Sequence, residues 1–204
     1  MIQQLIVNAA TSSLPRRCGA NPYHDIQVLT PMRNGPLGTI TINNLIRSAL
    51  NQNADETAQP VSHGFQPNDR VLQTRNDYYL GVFNGECGIV EEASGGSAVV
   101  RFGERFVTYP RSAFASLTHG FAITIHRSQG SEYPFVIIPV HECQSAMLTR
   151  ELLYTAMTRG KRMVVFVGSR RAFEQAIDNT RNRRHTGLKT LLSPQPASHL
   201  KKAA

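Results

Sequence analysis

The sequence predicts an α/β domain interrupted by a small antiparallel sheet or barrel. Three observations carry this. Short apolar, β-branched runs, "IQVLT" at 26–30, "FVIIPV" at 135–140 and "MVVFVG" at 163–168, each neighbour a segment with helical spacing. Between residues 63 and 117 the pattern changes to closely spaced strand-like runs separated by tight turns. From 118 onward the first pattern resumes, which makes the middle segment an insertion.

The elements follow in order. Ile2, Leu5, Ile6 and Ala9 have helical spacing over 2–9. "IQVLTP" is a buried strand ending at Pro31. "GPLGTITINNLIRSALN" predicts a helix entered through two glycines, with Leu37, Ile40, Leu45, Ile46 and Leu50 on its apolar face. Residues 51–62 are polar and predict a loop. "DRVLQTRN", "ECGIVEEA", "SAVVRFG" and "RFVTYP" predict the strands of the insertion, with "FNG", "SGG" and "GE" as turns. "TRELLYTAMTR" predicts a helix with Leu152, Leu153, Ala156 and Met157 on its apolar side and Gly160 as its stop. "SRRAFEQAI" predicts a last helix with Ser169 as N-cap.

Composition bounds the function. The 204 residues leave room for one large domain or two small ones. No apolar run approaches the ~18 residues of a membrane span, and "MIQQLIVNAATSSLPRR" has no basic stretch before an apolar core. Cys18, Cys87 and Cys143 are odd in number and lack CxxC spacing, which predicts a reducing, cytoplasmic setting without disulfides or a zinc site. The 22 Lys+Arg against 14 Asp+Glu give a net charge of +8, and 18 of the 22 are arginine. Forked guanidinium groups suit phosphates, so a polyanionic partner, nucleic acid first, is expected. The basic residues near the end, including Arg181, Arg183 and Arg184, serve either that partner or a solvated tail.

The stretch "FAITIHRSQGSEYPFVIIPV", 121–140, raises the functional question. A polar run, Thr124 to Glu132, interrupts two buried strands, and such loops at sheet edges are where α/β folds bind ligands. Gly130 permits close backbone approach to a phosphate. Thr124, His126, Ser128 and Gln129 offer hydrogen-bonding groups, and an ionised Glu132 accepts from a ribose hydroxyl.

"TIHRSQGSEYPFVIIPV" resembles motif V of superfamily 1 helicases, and "LLYTAMTRGKRMVVFVG" resembles their motif VI. "DIQVLTPMRNGPLGTITINNLIRSALN" is similar to the motif IV region of the RecD-like branch, and "DRVLQTRNDYYLGVFNGECGIV" to the start of that branch's inserted SH3-like barrel. The resemblance, to the C-terminal half of a RecD-like superfamily 1B DNA helicase, covers roughly residues 14–190. It implies a RecA-like parallel-sheet motor domain at 1–60 and 118–190, an inserted SH3-like β-barrel at 61–117, and a basic tail at 191–204. It also implies ATP hydrolysis with Mg²⁺ in a cleft between two RecA-like domains, and 5′ to 3′ translocation on single-stranded DNA. No GxxxxGK[ST] phosphate loop occurs here. This chain alone is therefore expected to bind neither ATP nor Mg²⁺ as an enzyme would, and to need the N-terminal RecA-like domain that carries the loop. The family context adds DNA repair and recombination, and possible further subunits of a nuclease complex.

By the same resemblance Arg159 is the arginine finger that stabilises charge on the transferring phosphoryl group. Outside the motif it would be a last-turn arginine complementing its helix dipole, a contribution of about 0.3–1 kcal/mol. Arg33 is a second γ-phosphate candidate, although related sequences alternate between this position and the next, here Asn34. Gly130, Glu132 and Gln129 match the nucleotide-contacting end of motif V. Thr124, His126 and Ser128 match its DNA-facing side. Asn76 and Asn84, with Gly85, are DNA contacts of the barrel or simply turn residues. Two other readings stand beside the helicase half: a fragment of a conjugative relaxase-helicase, and a non-catalytic DNA- or partner-binding module.

Overall fold

The computed structural model describes residues 1–51, 64–94 and 96–180. The chain enters through α1 (Ile2–Asn8), a π-turn at Ala9–Ser13 and α2 (Leu14–Cys18), which ends at Gly19 with φ +64°. The helical path is thus longer than the apolar spacing over 2–9 predicts. Pro15 sits at the start of α2, directly after the π-turn, and the helical path continues through it. β1 (Ile26–Thr30) follows, then α3 (Thr39–Asn51). The remainder of the loop expected at 51–62 lies outside the described residues.

The second unit comprises β2 (Arg70–Gln73), β3 (Cys87–Ser94), β4 (Ser97–Phe102), β5 (Arg105–Pro110) and β6 (Leu117–His119). Its strand order is β5-β4-β3-β2-β6 and every pairing is antiparallel. Phe65, Val71, Val90, Val100, Phe102 and Tyr109 form its own core. The chain then passes straight into β7 (Ala122–Thr124), β8 (Tyr133–Val140), α4 (Arg150–Met157), β9 (Gly160–Gly168) and α5 (Arg170–Asp178). β7, β1, β8 and β9 lie side by side as a parallel sheet.

The period of two in each strand divides the core of the parallel sheet between two faces. Ile26, Val28, Phe135 and Ile137 face α1, α2 and α3, where Ile6, Leu14, Ile42 and Ile46 meet them. Leu29, Val136, Ile138 and Val140 face α4 and α5, where Leu153, Ala156, Ala172 and Ala176 close the second layer. Each large side chain so buried contributes about 1.5–3 kcal/mol. Ser169 caps α5 as expected, accepting from Ala172 N at 3.1 Å.

Three expectations need correction. The inward face of α3 is Ile42, Asn43, Ile46 and Leu50, while Ile40 and Leu45 are exposed. Asn43 is tolerated inside because its amide donates to Ala122 O and accepts from Ala122 N, both at 2.8 Å. On α4, Leu153 and Ala156 are buried but Met157 is exposed. Gly160 is not the helix stop: α4 ends at Met157, and Gly160 opens β9, where a Cβ would come within 2.5 Å of Val164.

Gly120 marks the passage between the two sheets. Its N–H donates to Arg70 O at 2.7 Å, and a Cβ would sit 3.1 Å from Val71 backbone. Arg70 reaches the other way, donating to Ile26 O at 3.1 Å and lying over the Tyr133 ring. Asp69 ties the junction again. Its buried carboxylate lies 3.2 Å from Arg47 Nε of α3 and 3.4 Å from His119 Nε2 of β6, and it accepts from Gln66 N at 2.7 Å.

Candidate nucleotide and nucleic-acid interface

The polar run 124–132 crosses the parallel sheet. Thr124 pairs with Thr30, where β1 ends, whereas Phe135 pairs with Ile26, where β1 begins. Because β7 and β8 flank β1 on opposite sides, the connecting segment must travel back along the sheet and over it. It does so through a 3₁₀ turn at Ile125–Ser128 and then Gly130, whose φ of +84° is open to glycine at little cost. No atom lies within 4 Å of where a Cβ on Gly130 would stand, so the backbone there faces free space.

Arg159 meets the far end of this segment. Parallel pairing sets Tyr133 beside Gly160, and Tyr133 N donates to Arg159 O at 2.8 Å. The guanidinium donates to Ser131 O at 3.3 Å, to Thr155 O at 3.2 Å and to Thr158 Oγ1 at 3.1 Å. Glu132 is exposed and lies 3.0 Å from Lys161 Nζ. Gly130, Ser131, Glu132 and Arg159 therefore come together at one end of the sheet. The bonds to Thr155 and Thr158 also show the helix-end contacts that an arginine would make without any ligand.

Arg33 is elsewhere. It follows the end of β1, while Arg159 precedes the start of β9 in the same parallel sheet. β8 between them spans 8 residues; at about 3.3 Å per residue its two ends are about 23 Å apart. Arg33 instead borders a cavity of about 180 Å³ with Asn43, Asn44, Thr118, Thr124 and Arg127. The two arginine candidates thus adjoin opposite ends of the parallel strands.

A larger groove, about 710 Å³, joins the two sheets. Asn84, Gly85, Glu86 and Cys87 wall it on the antiparallel side, and Arg127, Gln129, Ser131, Glu132 and Tyr133 on the other. Burial pushes the Cys87 thiol above its usual value despite the pull of Arg70 and Arg127, so the wall is neutral there. Burial likewise raises the Tyr133 phenol. His126 and Gln129 also border a third opening with Thr149, Thr155 and Asn179. Among the described residues, no three His, Cys, Asp or Glu side chains converge on a possible metal position.

Two candidates have local partners. Ser128 is fully buried and its hydroxyl donates to Ile125 O at 2.7 Å, so it stabilises the 3₁₀ turn. Any ligand contact there would have to come from its backbone. Asn76 Oδ1 accepts from Asn84 N at 2.9 Å, which is turn chemistry, although both side chains are exposed. Sequence reasoning passed over Arg127. Its signal was present, a cation inside the quoted polar run, but only the fold shows that it borders both the groove and the small cavity.

Comparison with known proteins agrees with this architecture. The family described as UvrD-like helicase C-terminal domain matches residues 119–167, and the ATP-dependent RecD-like DNA helicase SH3 domain matches residues 42–102. The chain is 38% identical over 164 residues to the ATP-dependent RecD2 DNA helicase of Deinococcus radiodurans, covering 80% of this chain and 23% of that protein. It is 36% identical over 152 residues to the RecBCD enzyme subunit RecD of Mycobacterium tuberculosis, covering 74% and 26%. A probable conjugal transfer protein TraA of Sinorhizobium fredii is 36% identical over 118 residues, 55% of this chain and 10% of that one. The chain thus spans about a quarter of the first two relatives. A crystal structure of Pif1 helicase from Bacteroides, in complex with ADP-AlF3 and ssDNA, superposes with a TM-score of 0.53 at 18% identity over 85% of this chain and 47% of that one, a likeness of fold.

Proposed function

We propose, from the premise that this chain resembles the C-terminal part of RecD-like superfamily 1 helicases, that it is the second motor half of a 5′ to 3′ DNA helicase or translocase. In this reading residues 1–60 and 118–190 act as the RecA-like motor domain and 61–117 as the inserted SH3-like barrel. The observation that carries it is the meeting of Gly130, Ser131 and Glu132 with Arg159 at one end of the parallel sheet.

ATP supplies the phosphoryl transfer that drives such a motor. The open backbone at Gly130 leaves space for phosphate oxygens or ribose, Glu132 and Gln129 are exposed to accept and donate there, and Arg159 offers a forked cation beside them. For the arginine to reach a ligand it must exchange its contacts with Thr155, Thr158 and Ser131. These residues fit a nucleotide edge. They do not fit a resident Mg²⁺, because no carboxylate cluster accompanies them among the described residues. Metal and phosphate-loop lysine belong, in this reading, to a separate N-terminal RecA-like domain, and ATP hydrolysis needs both halves. Thr124, His126, Arg127, Asn76 and Asn84 face the single strand. Further subunits of a nuclease complex are possible partners, and a cytoplasmic location goes with this role; no helix among the described residues is long and apolar enough to cross a membrane.

The conjugative relaxase-helicase reading rests on the likeness to TraA, over a shorter part of the chain. The RecD-like SH3 match favours the first reading. Titration of a labelled oligonucleotide at several salt concentrations tests the single-strand role. Binding should be weak, indifferent to sequence and steeply salt-dependent, with a log–log slope of about −0.7 per phosphate contact. Salt-independent binding, or none at low ionic strength, rejects it.

A further inference from the structure

We infer that the turn bearing Tyr78, Tyr79 and Phe83 is a stacking platform for unpaired nucleobases. The inference rests on the single-strand reading above and adds to it a second kind of contact, made to bases rather than phosphates.

The turn exposes more aromatic surface than the antiparallel sheet needs. Tyr79 is 97% exposed and Tyr78 81% exposed, while their neighbour Val82 is fully buried and supplies the turn's share of the core. Such exposure is unfavourable in water, where a polar side chain would serve a simple turn better. The rings are nonetheless held by a well-made scaffold. Asp77 and Val82 exchange both backbone hydrogen bonds, at 2.8 and 3.0 Å. Asp77 Oδ1 accepts from Tyr79 N at 3.1 Å and Leu80 N at 3.0 Å. Arg105 Nη1 donates to Gly81 O at 2.7 Å from the neighbouring hairpin. Tyr78 stands edge-on to Phe83 at 6.1 Å, which leaves ring surface uncovered. A platform fixed before binding loses little entropy when a ligand arrives.

Nucleobases are the occupant that the surroundings favour. Asn76 and Asn84 close the foot of this turn, and Asn84 and Gly85 also wall the groove that Arg127 borders. A strand whose phosphates met Arg127 and Arg75 at the margin of that groove, clear of the Glu132 side given to the nucleotide, would carry its bases toward the rings. Arg75 is exposed one residue before Asn76, and the chain's net charge is +8. Planar faces with a cationic margin suit a polyanion whose bases are unstacked, and every base offers such a face. An aliphatic protein partner would call for apolar neighbours, whereas Arg75, Asn76 and Asn84 are the exposed ones here.

The test uses the 204-residue chain with two labelled oligonucleotides of equal length, one of thymidines and one abasic throughout. The thymidine strand should bind about tenfold more tightly. The double variant Tyr78→Ala/Tyr79→Ala should lose that preference and keep the salt slope, because the phosphates are held elsewhere. Tyr79→Trp should retain the preference. The chain has no other tryptophan, so the variant's emission should be quenched by thymidine and not by abasic strands. Equal affinity of the unaltered chain for both strands overturns the platform while leaving the phosphate contacts standing. So does a double variant that keeps the preference, in which case the aromatic turn is left to a protein partner. Failure of the unaltered chain to bind either strand overturns both readings. The altered side chains are exposed, and an unchanged melting temperature separates a lost contact from a lost fold.

Discussion

The two ends of the parallel sheet are made by the same strands, yet they hold different chemistry. Where β8 and β9 begin, Arg159 sits against Ser131, beside Gly130 and Glu132, with its fork tied to carbonyls and a hydroxyl. Where β1 and β7 finish, Arg33 and Arg127 border a cavity walled by Asn43, Thr118, His119 and Thr124, and the antiparallel sheet closes it. The first end presents one exchangeable arginine to open backbone. The second presents exposed Arg33 at a junction between sheets, with Arg127, which also borders the groove beside Ser131 and Glu132. The surroundings of each arginine are set here by the end on which the chain leaves it.

The strongest way to break this contrast is to alter one arginine at each end in a complete helicase containing this chain. Arg159→Lys keeps charge but loses the planar fork, so the turnover number for DNA-stimulated ATP hydrolysis should fall by about 10³. Arg33→Ala should leave turnover within about twofold and instead reduce the salt slope of strand binding by about 0.7. Steady-state ATPase and anisotropy measured on both variants decide it. Near-normal turnover in Arg159→Lys, or a collapse in Arg33→Ala, would erase the distinction.

Asp69 tests whether the second end depends on the junction. Its carboxylate is buried between Arg47 and His119, and Arg47 Nε has no aligned hydrogen bond to fall back on. Removing one member of a buried pair costs about 3–5 kcal/mol; the partners here keep some solvent, so about 2–3 kcal/mol is expected for Asp69→Ala. Urea unfolding measures it. A loss below about 0.5 kcal/mol would mean that Arg70 and Gln27, which bond across the same junction, hold the sheets together without it.

Gly130→Ala gives the smallest effect and sharpens the first end. Space is available for the methyl group, but φ of +84° is strained for alanine. The cost should be about 1 kcal/mol of stability, accompanied in the complete enzyme by weaker nucleotide affinity. A variant with unchanged stability and unchanged Michaelis constant for ATP would remove Gly130 from the nucleotide edge.

Much of the fold was legible. The runs at 26–30 and 135–140 became parallel strands because β-branched side chains suit a sheet buried on both faces; the run at 163–168 also pairs in parallel, but as the edge strand, with Met163 and Phe166 exposed rather than buried. "FNG" and "GE" became turns because Gly85 and Gly103 take positive φ. The polar run 124–132 was legible as a site candidate because it interrupts two such strands. Other features were not legible, for local reasons. Ile40 and Leu45 fit a helical stripe as well as Ile42 does, and only the position of β7 turns Asn43 inward. Ser128 has the chemistry of a phosphate contact, but the 3₁₀ turn consumes its hydroxyl.

By itself the sequence determined which segments form strands and helices, where the antiparallel unit interrupts the α/β pattern, and which arginines and which glycine-bearing polar run are the site candidates. These follow from side-chain periodicity, turn stereochemistry and charge, which are properties of neighbouring residues. Tertiary structure alone decided that Arg159 joins Gly130 and Glu132 while Arg33 does not, and that Arg127 borders both openings. Strand order and direction set those distances. A parallel sheet puts residues that follow one strand and residues that precede another at opposite ends, however alike they look along the chain.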